Sequence, residues 1–337
     1  MTPIKNSPIK NSSIKNSSIK IYLGTQVEQR LATEVLSYSI RQHTRATVEI
    51  VPLYEAVTAA GIQIPTPSDP KLRPRTPFTF QRFAIPALCH YQGRAIYLDS
   101  DMLVFQDIRK LWEQSFLDQQ NPTRIFDLLS VPEPASSNRL PQYSVMMLNC
   151  EQLQWNAPRL VNQLAQGKWS YEQFVLEMAP AQKKSASLPI GWNDLERYSP
   201  GKTALVHYTD MPRQPWLSTV NPLAELWCDA LLKAISSGAI RRQTVCESVA
   251  RGWVRPSLLV QIELGIANPK DLSNEVIERD RLTFTPPHIW QRYLRYPVLQ
   301  GARSRQWFSR TYAAYRAVLN AKRPTLLMNS RERVHHG

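Results

Sequence analysis

Cysteine is scarce in this 337-residue chain: Cys89, Cys150, Cys228 and Cys246 stand far apart and form no Cys-x-x-Cys pair. That pattern argues against a disulfide framework and a cysteine zinc site, and fits a reduced, cytoplasmic setting. Long hydrophobic runs are missing as well. No apolar stretch approaches the ~18 residues of a spanning helix, although 43% of the residues are hydrophobic. The amino-terminal lysines are not followed by an apolar core, so no secretory signal is expected there. Acid is missing from both ends. Residues 1–20 carry four lysines and no carboxylate, and from Arg292 onward nine arginines and Lys322 face only Glu332. Of the net charge of +14, the two ends hold +13, leaving +1 for residues 21–291. Any function that relies on a basic protein therefore belongs to the ends.

What is present is organised in three parts. Residues 1–17 hold a five-residue repeat, TPIKN, SPIKN, SSIKN, too poor in apolar side chains to fold alone, and are expected to be disordered. Its fourth copy runs into a strand at Ile19–Leu23. The pattern then predicts a helix over Val27–Gln42, a strand over Thr47–Leu53, and a loop over residues 62–77, which is punctuated by Pro65, Pro67, Pro70, Pro74 and Pro77. A helix over Phe78–Tyr91, kinked at Pro86, leads to a strand at Arg94–Leu98. A helix over Asp107–Gln114 follows, with Asp107 as its cap. Strands are expected at Ile125–Val131, Ser144–Leu148 and Ala204–Tyr208, short helices over 157–179, and a helix over Asn221–Ser236 with Pro222 in its first turn. This alternation predicts an α/β domain over residues 18–240 with a mostly parallel, Rossmann-like sheet. Residues 241–337 are expected to form a helical, basic extension. In it Phe308, Tyr312, Tyr315 and Leu319 recur at helical spacing, either packed on the body or lying on an anionic membrane.

The chemistry is concentrated in AIYLDSDMLVF, Ala95 to Phe105. An apolar strand delivers Asp99 and Asp101, one residue apart, at the end where open α/β sheets bind ligands. Two carboxylates that close repel unless a cation lies between them, and a divalent metal carrying a phosphate ester suits the place. The bland alternative is a solvated turn with an aspartate cap. His207, in LVHYTDMPRQPW, follows a later strand-like run. It is either a structural histidine or a ligand that would complete a mixed oxygen and nitrogen site for Mn²⁺.

In these motifs the chain resembles the retaining glycosyltransferases of family 8, a group that includes glycogenin and bacterial lipopolysaccharide glycosyltransferases. Five pieces occur in the family order: IKIYLGT, TFQRFAIPAL, AIYLDSDMLVFQDIRKLWE, YSVMMLNC and LVHYTDMPRQPW. The resemblance implies a GT-A-like domain in which Asp99, Asp101 and His207 bind Mn²⁺ (or Mg²⁺) and, through it, the diphosphate of a UDP-sugar donor. It places Arg82 at the donor sugar or phosphates, Tyr22, Gly24 and Thr25 at the base and ribose, and Ser100 between the metal carboxylates. Asn193 and Asp194 fall at the donor-sugar position, with a helix-capping turn as the alternative. Gln173, in Glu172-Gln173, is a loose counterpart of the family's Asp-Gln pair, so the catalytic candidates are Asn193, Asp194 and Gln173. The departures are local. The family pattern His-x-x-Gly-x-x-Lys-Pro-Trp becomes a version with Asp210 for the glycine, one inserted residue, and Gln214 before Pro215-Trp216. Arg213 would replace the missing lysine, although a guanidinium is not an ammonium.

The reading is thus a metal-dependent hexosyltransferase acting on an unknown saccharide, lipid or protein acceptor, held by its basic ends against the inner face of a membrane. Two others stay open. One is a non-catalytic protein that binds anionic lipid or nucleic acid through those ends. The other is a haloacid-dehalogenase-like phosphatase, which also uses two aspartates one residue apart but wants Thr or Val where Leu103 stands.

Overall fold

The computed structural model describes residues 18–133 and 143–289. The repeat of residues 1–17 and the basic segment from Tyr293 onward lie outside them. In chain order the elements are β1 Ile19–Gly24, α1 Arg30–Gln42, β2 Val48–Pro52, α2 Leu53–Ala59, α3 Phe78–Gln81, α4 Ile85–Leu88, β3 Arg94–Asp99 and β4 Met102–Val104. There follow α5 Arg109–Trp112, β5 Leu128–Ser130, β6 Val145–Asn149, α6 Ala157–Ala165, α7 Tyr171–Val175, β7 Lys184–Ser185, β8 Asp194–Leu195 and β9 Leu205–His207. Helices α8 Ala224–Ser236, α9 Arg242–Ala250, α10 Ser257–Leu264 and α11 Asn274–Thr283 complete the described chain.

The main sheet runs β2-β1-β3-β6-β5-β7. Three of its five pairings are parallel: β1 with β2, β1 with β3, and β5 with β7. Strand β6 runs antiparallel to both β3 and β5, so the sheet is mixed but parallel-rich. Side chains alternate across it as the pleat requires. Tyr22, Tyr97, Met146 and Leu148 enter one core with Phe80, Phe83, Trp155 and Phe174. Ile21, Leu23, Ile96, Leu98, Val145 and Met147 enter the other, with Leu36, Ile40, Ile108 and Leu111. Burial on both faces is why these strands read as continuous apolar runs.

A second, small sheet has the order β4-β9-β8. Only two residues, Ser100 and Asp101, separate the end of β3 from the start of β4, and across them the chain steps from one sheet to the other. Behind it a third core joins α1, β9, α8, α9 and α10 through Val35, Val206, Trp216, Trp227, Val245 and Leu258. Helices α9 and α10 of the expected extension therefore share a core with the body. Among the described residues no helix is long and apolar enough to cross a membrane.

Three local expectations are corrected. Phe78–Tyr91 is not one helix but α3, a 3-10 turn at Arg82–Ala84, and α4. Pro86 has no amide hydrogen to give the Arg82 carbonyl, and its ring crowds that carbonyl. The helix after Asp107 is only Arg109–Trp112, and Ile108, not Asp107, is its N-cap; Asp107 stands one residue earlier and accepts from the Arg109 amide at 2.9 Å. Pro222 precedes α8 instead of opening it. Asn221 Oδ1 accepts from the Leu223 amide at 2.7 Å, and the resulting turn delays the helix to Ala224.

Candidate functional site

Strand register builds the site. In β1 and β3, Gly24 lies beside Asp99, and in β4 and β9, Met102 lies beside His207. The second pairing brings a histidine 106 residues away against the aspartate next to Met102. The Tyr208 amide donates to the Asp101 carbonyl at 2.8 Å, and His207 Nε2 lies 3.1 Å from Asp101 Oδ1. One ligand atom from each of Asp99, Asp101 and His207 falls within 4.8 Å of the others.

Each of the three is held from behind. Asp99 Oδ1 accepts a 2.6 Å hydrogen bond from the Tyr97 hydroxyl, and the Asp99 amide donates to the Ser144 carbonyl at 3.1 Å. Asp101 Oδ2 accepts from Gln214 Nε2 at 3.0 Å. His207 is 5% exposed, and its Nδ1 lies 2.9 Å from Asn193 Oδ1. Because that oxygen can only accept, Nδ1 carries the hydrogen. In the neutral ring this leaves the Nε2 lone pair for a metal, the arrangement by which an outer partner orients a histidine ligand.

The electrostatics show an unmet demand for positive charge. Burial and the neighbouring Asp101 carboxylate push Asp99 above the ordinary carboxylate range, while His207 and the hydrogen bonds from Tyr97 and Ser144 pull it partly back. Burial pushes His207 down, but Asp101, then Asp99 and Glu196, raise it by more. Two carboxylates and an imidazole are hard and borderline donors, so the residues fit a divalent ion.

The remaining sequence candidates divide. Gly24 lies against the site: a Cβ there would fall 2.2 Å from the Tyr97 hydroxyl oxygen, so the glycine makes room for the group that holds Asp99. Ser100 is buried, with its hydroxyl on Gln29 Oε1 at 3.2 Å and its amide on the Gly24 carbonyl at 3.1 Å. Arg82, 5% exposed, lies 5.9 Å over the Tyr97 ring and donates to the carbonyls of Thr79 and Tyr143. Thr25 is 1% exposed and its hydroxyl is 2.8 Å from that of Thr33. The Tyr22 hydroxyl faces Cys89 Sγ at 3.7 Å inside the core. Arg213 has a 59% exposed side chain, 3.7 Å from Asp210. Asp194 accepts from the Thr203 hydroxyl at 2.6 Å, and Gln173 closes a capping box with Ser170 on α7. Tyr97, Gln214 and Asn193 as supports of the three central residues escaped the sequence reading. For Tyr97 the available signal was its position two residues before Asp99 on a buried strand.

Part of the chain matches a known family. Residues 9–122, which include Asp99 and Asp101, match the model of the family described as Glycosyl transferase family 8. Protein CDI of Arabidopsis thaliana is 31% identical over 93 residues, 27% of this chain and 35% of that protein. Among solved structures, the WbbM bifunctional glycosyltransferase aligns at 14% identity over 67% of this chain and 50% of its own, with a TM-score of 0.45. GlyE of Streptococcus pneumoniae aligns at 16% identity over 66% and 64%, also with a TM-score of 0.45. The galactosyltransferase LgtC, solved with donor and acceptor sugar analogs, aligns at 13% identity over 66% and 100%, with a TM-score of 0.43. The chain thus spans about a third of its curated relative and half of the first of these structures.

Proposed function

We propose, with the family 8 glycosyl transferase match of residues 9–122 as premise, that this protein transfers a hexose from a UDP-sugar to an acceptor in a metal-dependent reaction. One observation carries the reading: Asp99, Asp101 and His207 converge within 4.8 Å at the step between the two sheets, and two of the three lie within the matched segment. Asp99, Asp101 and His207 would hold the ion. When bound there, a divalent cation supplies the Lewis acid that stabilises negative charge on the departing diphosphate.

The chain's own residues prepare that place. Tyr97 holds one oxygen of Asp99, and Asn193 keeps the His207 hydrogen on Nδ1. Ser100 joins the end of β1 to the carboxylate step through its amide, which donates to the Gly24 carbonyl. Arg82 lies over the Tyr97 ring at the same sheet end, a cation suited to donor phosphates or sugar hydroxyls. Fixed polar groups of this kind cost no reorganisation when charge develops. In this reading the basic ends hold the enzyme near an anionic acceptor or the inner face of a membrane.

Calorimetric titration with UDP, with and without Mn²⁺, on the wild type and Asp101→Ala tests the proposal. Mn²⁺-dependent UDP binding that is lost in the variant is expected, followed by release of UDP from one member of a UDP-sugar panel. Absence of UDP binding under both conditions would overturn the transferase reading.

A further inference from the structure

The carboxyl-terminal helices reach the candidate metal centre through one side chain. Gln214 is 3% exposed, and its Nε2 donates twice, to Asp101 Oδ2 at 3.0 Å and to the Tyr208 carbonyl at 3.0 Å. Both partners are acceptors, so the amide has one orientation, with nitrogen toward the carboxylate. Asp101 Oδ2 is thereby held by Gln214, while Oδ1 lies 3.1 Å from His207 Nε2, on the side where the ligand atoms converge.

Gln214 is itself anchored from behind. Arg255 is 0% exposed; its Nε donates to the Pro215 carbonyl at 2.9 Å and its amide to the Trp216 carbonyl at 2.8 Å. The guanidinium also bonds Ser257 Oγ and Gln261 Oε1 on α10. Ser257 in turn donates from its hydroxyl and its amide to Asp280 on α11. A fully buried guanidinium is costly unless its donors are matched. Here they are spent on the Pro215 carbonyl, on Cys228 Sγ of α8, and on Ser257 and Gln261 of α10, while the Arg255 backbone amide holds the Trp216 carbonyl. An uncharged donor against Asp101 has a further consequence: it orients the carboxylate without cancelling the negative charge that attracts a cation, as an ammonium or guanidinium there would do.

We infer that Gln214, clamped by Arg255, is a positioning residue that aims Asp101 at a divalent cation and makes the α10–α11 helices part of the metal centre. The inference rests on the metal-dependent reading above and adds a positioning residue to that same site.

The test uses the full chain and Mn²⁺ alone. Gln214→Met keeps the length and removes the donor; Gln214→Asn keeps the amide but shortens its reach. Mn²⁺ affinity is read by calorimetry, the bound ion by its electron paramagnetic resonance spectrum, and the metal-free scaffold by circular dichroism and thermal melting. Both variants are expected to bind Mn²⁺ about tenfold to a hundredfold more weakly, with an altered bound-ion spectrum and wild-type circular dichroism. Unchanged affinity and spectrum, with or without a lower melting temperature, would overturn the inference, because Gln214 would then serve only the scaffold, while the metal reading would stand. A wild type that binds no Mn²⁺ would overturn both. If Gln214→Met does not fold, Gln214→Asn decides.

Discussion

At the scale of single residues, the site depends on a glycine that admits a hydroxyl. Gly24 and Asp99 are neighbours on β1 and β3, and Tyr97 points from β3 across Gly24 to donate to Asp99. A methyl group at Gly24 would occupy the place of that hydroxyl. Gly24→Ala is therefore expected to displace Tyr97, weaken Mn²⁺ binding by about tenfold and lower the melting temperature. Tyr97→Phe removes the same bond without crowding, at a cost of about 1 kcal/mol in stability, and is expected to weaken Mn²⁺ binding in the same way. Calorimetry and thermal melts on the two variants separate crowding from the lost donor. Unaltered Mn²⁺ affinity in Tyr97→Phe would remove Tyr97 from the centre.

At the scale of elements, the helices after β9 are bound into the body by packing. Helix α8 buries Trp227, Cys228 and Leu231 against Val245 and Val249 of α9 and Leu258 and Leu259 of α10, and the same core contains Tyr208 and Trp216 beside the site. Ending the chain at Ile240 would expose the far side of that core, and each large apolar side chain returned to water costs about 1.5–3 kcal/mol. The truncated protein is expected to be insoluble or to bind a dye for exposed apolar surface. A soluble fragment 18–240 with cooperative melting and Mn²⁺ binding equal to the full chain would show that α9 to α11 are an independent appendage. The boundary expected at residue 241 separates helices whose side chains share one hydrophobic core.

At the scale of the whole molecule, charge and chemistry are separated. The centre lies in residues 21–291, whose net charge is +1, and the segment from Arg292 onward carries +9. Deleting residues 292–337 is expected to leave Mn²⁺-dependent UDP binding unchanged. The same deletion is expected to reduce sedimentation with vesicles rich in anionic lipid. For the full chain that association should fall steeply between about 50 and about 200 mM salt, as contacts made by many basic side chains do. Vesicle binding that is equal with and without the segment would remove the peripheral role of this end.

Sequence alone determined the alternation of elements, the two-sided burial of β1 and β3, and the placing of Asp99 and Asp101 at a strand end. Each of these is a local pattern, set by apolar runs and by the carboxylates that interrupt them. The tertiary structure decided what meets those carboxylates. His207 reaches Asp101 through the antiparallel pairing of β4 with β9, and register between segments a hundred residues apart leaves no periodic trace. Gln214 reads in the sequence as a departure from a pattern and becomes in the fold the donor that holds Asp101. Gln173, a catalytic candidate, and Thr25, placed at the base and ribose, have side chains hydrogen-bonded locally, to a helix cap and to Thr33. The physical reason is the same throughout: backbone preference and burial are written residue by residue, whereas a hydrogen bond between distant side chains exists only once packing has fixed the distance.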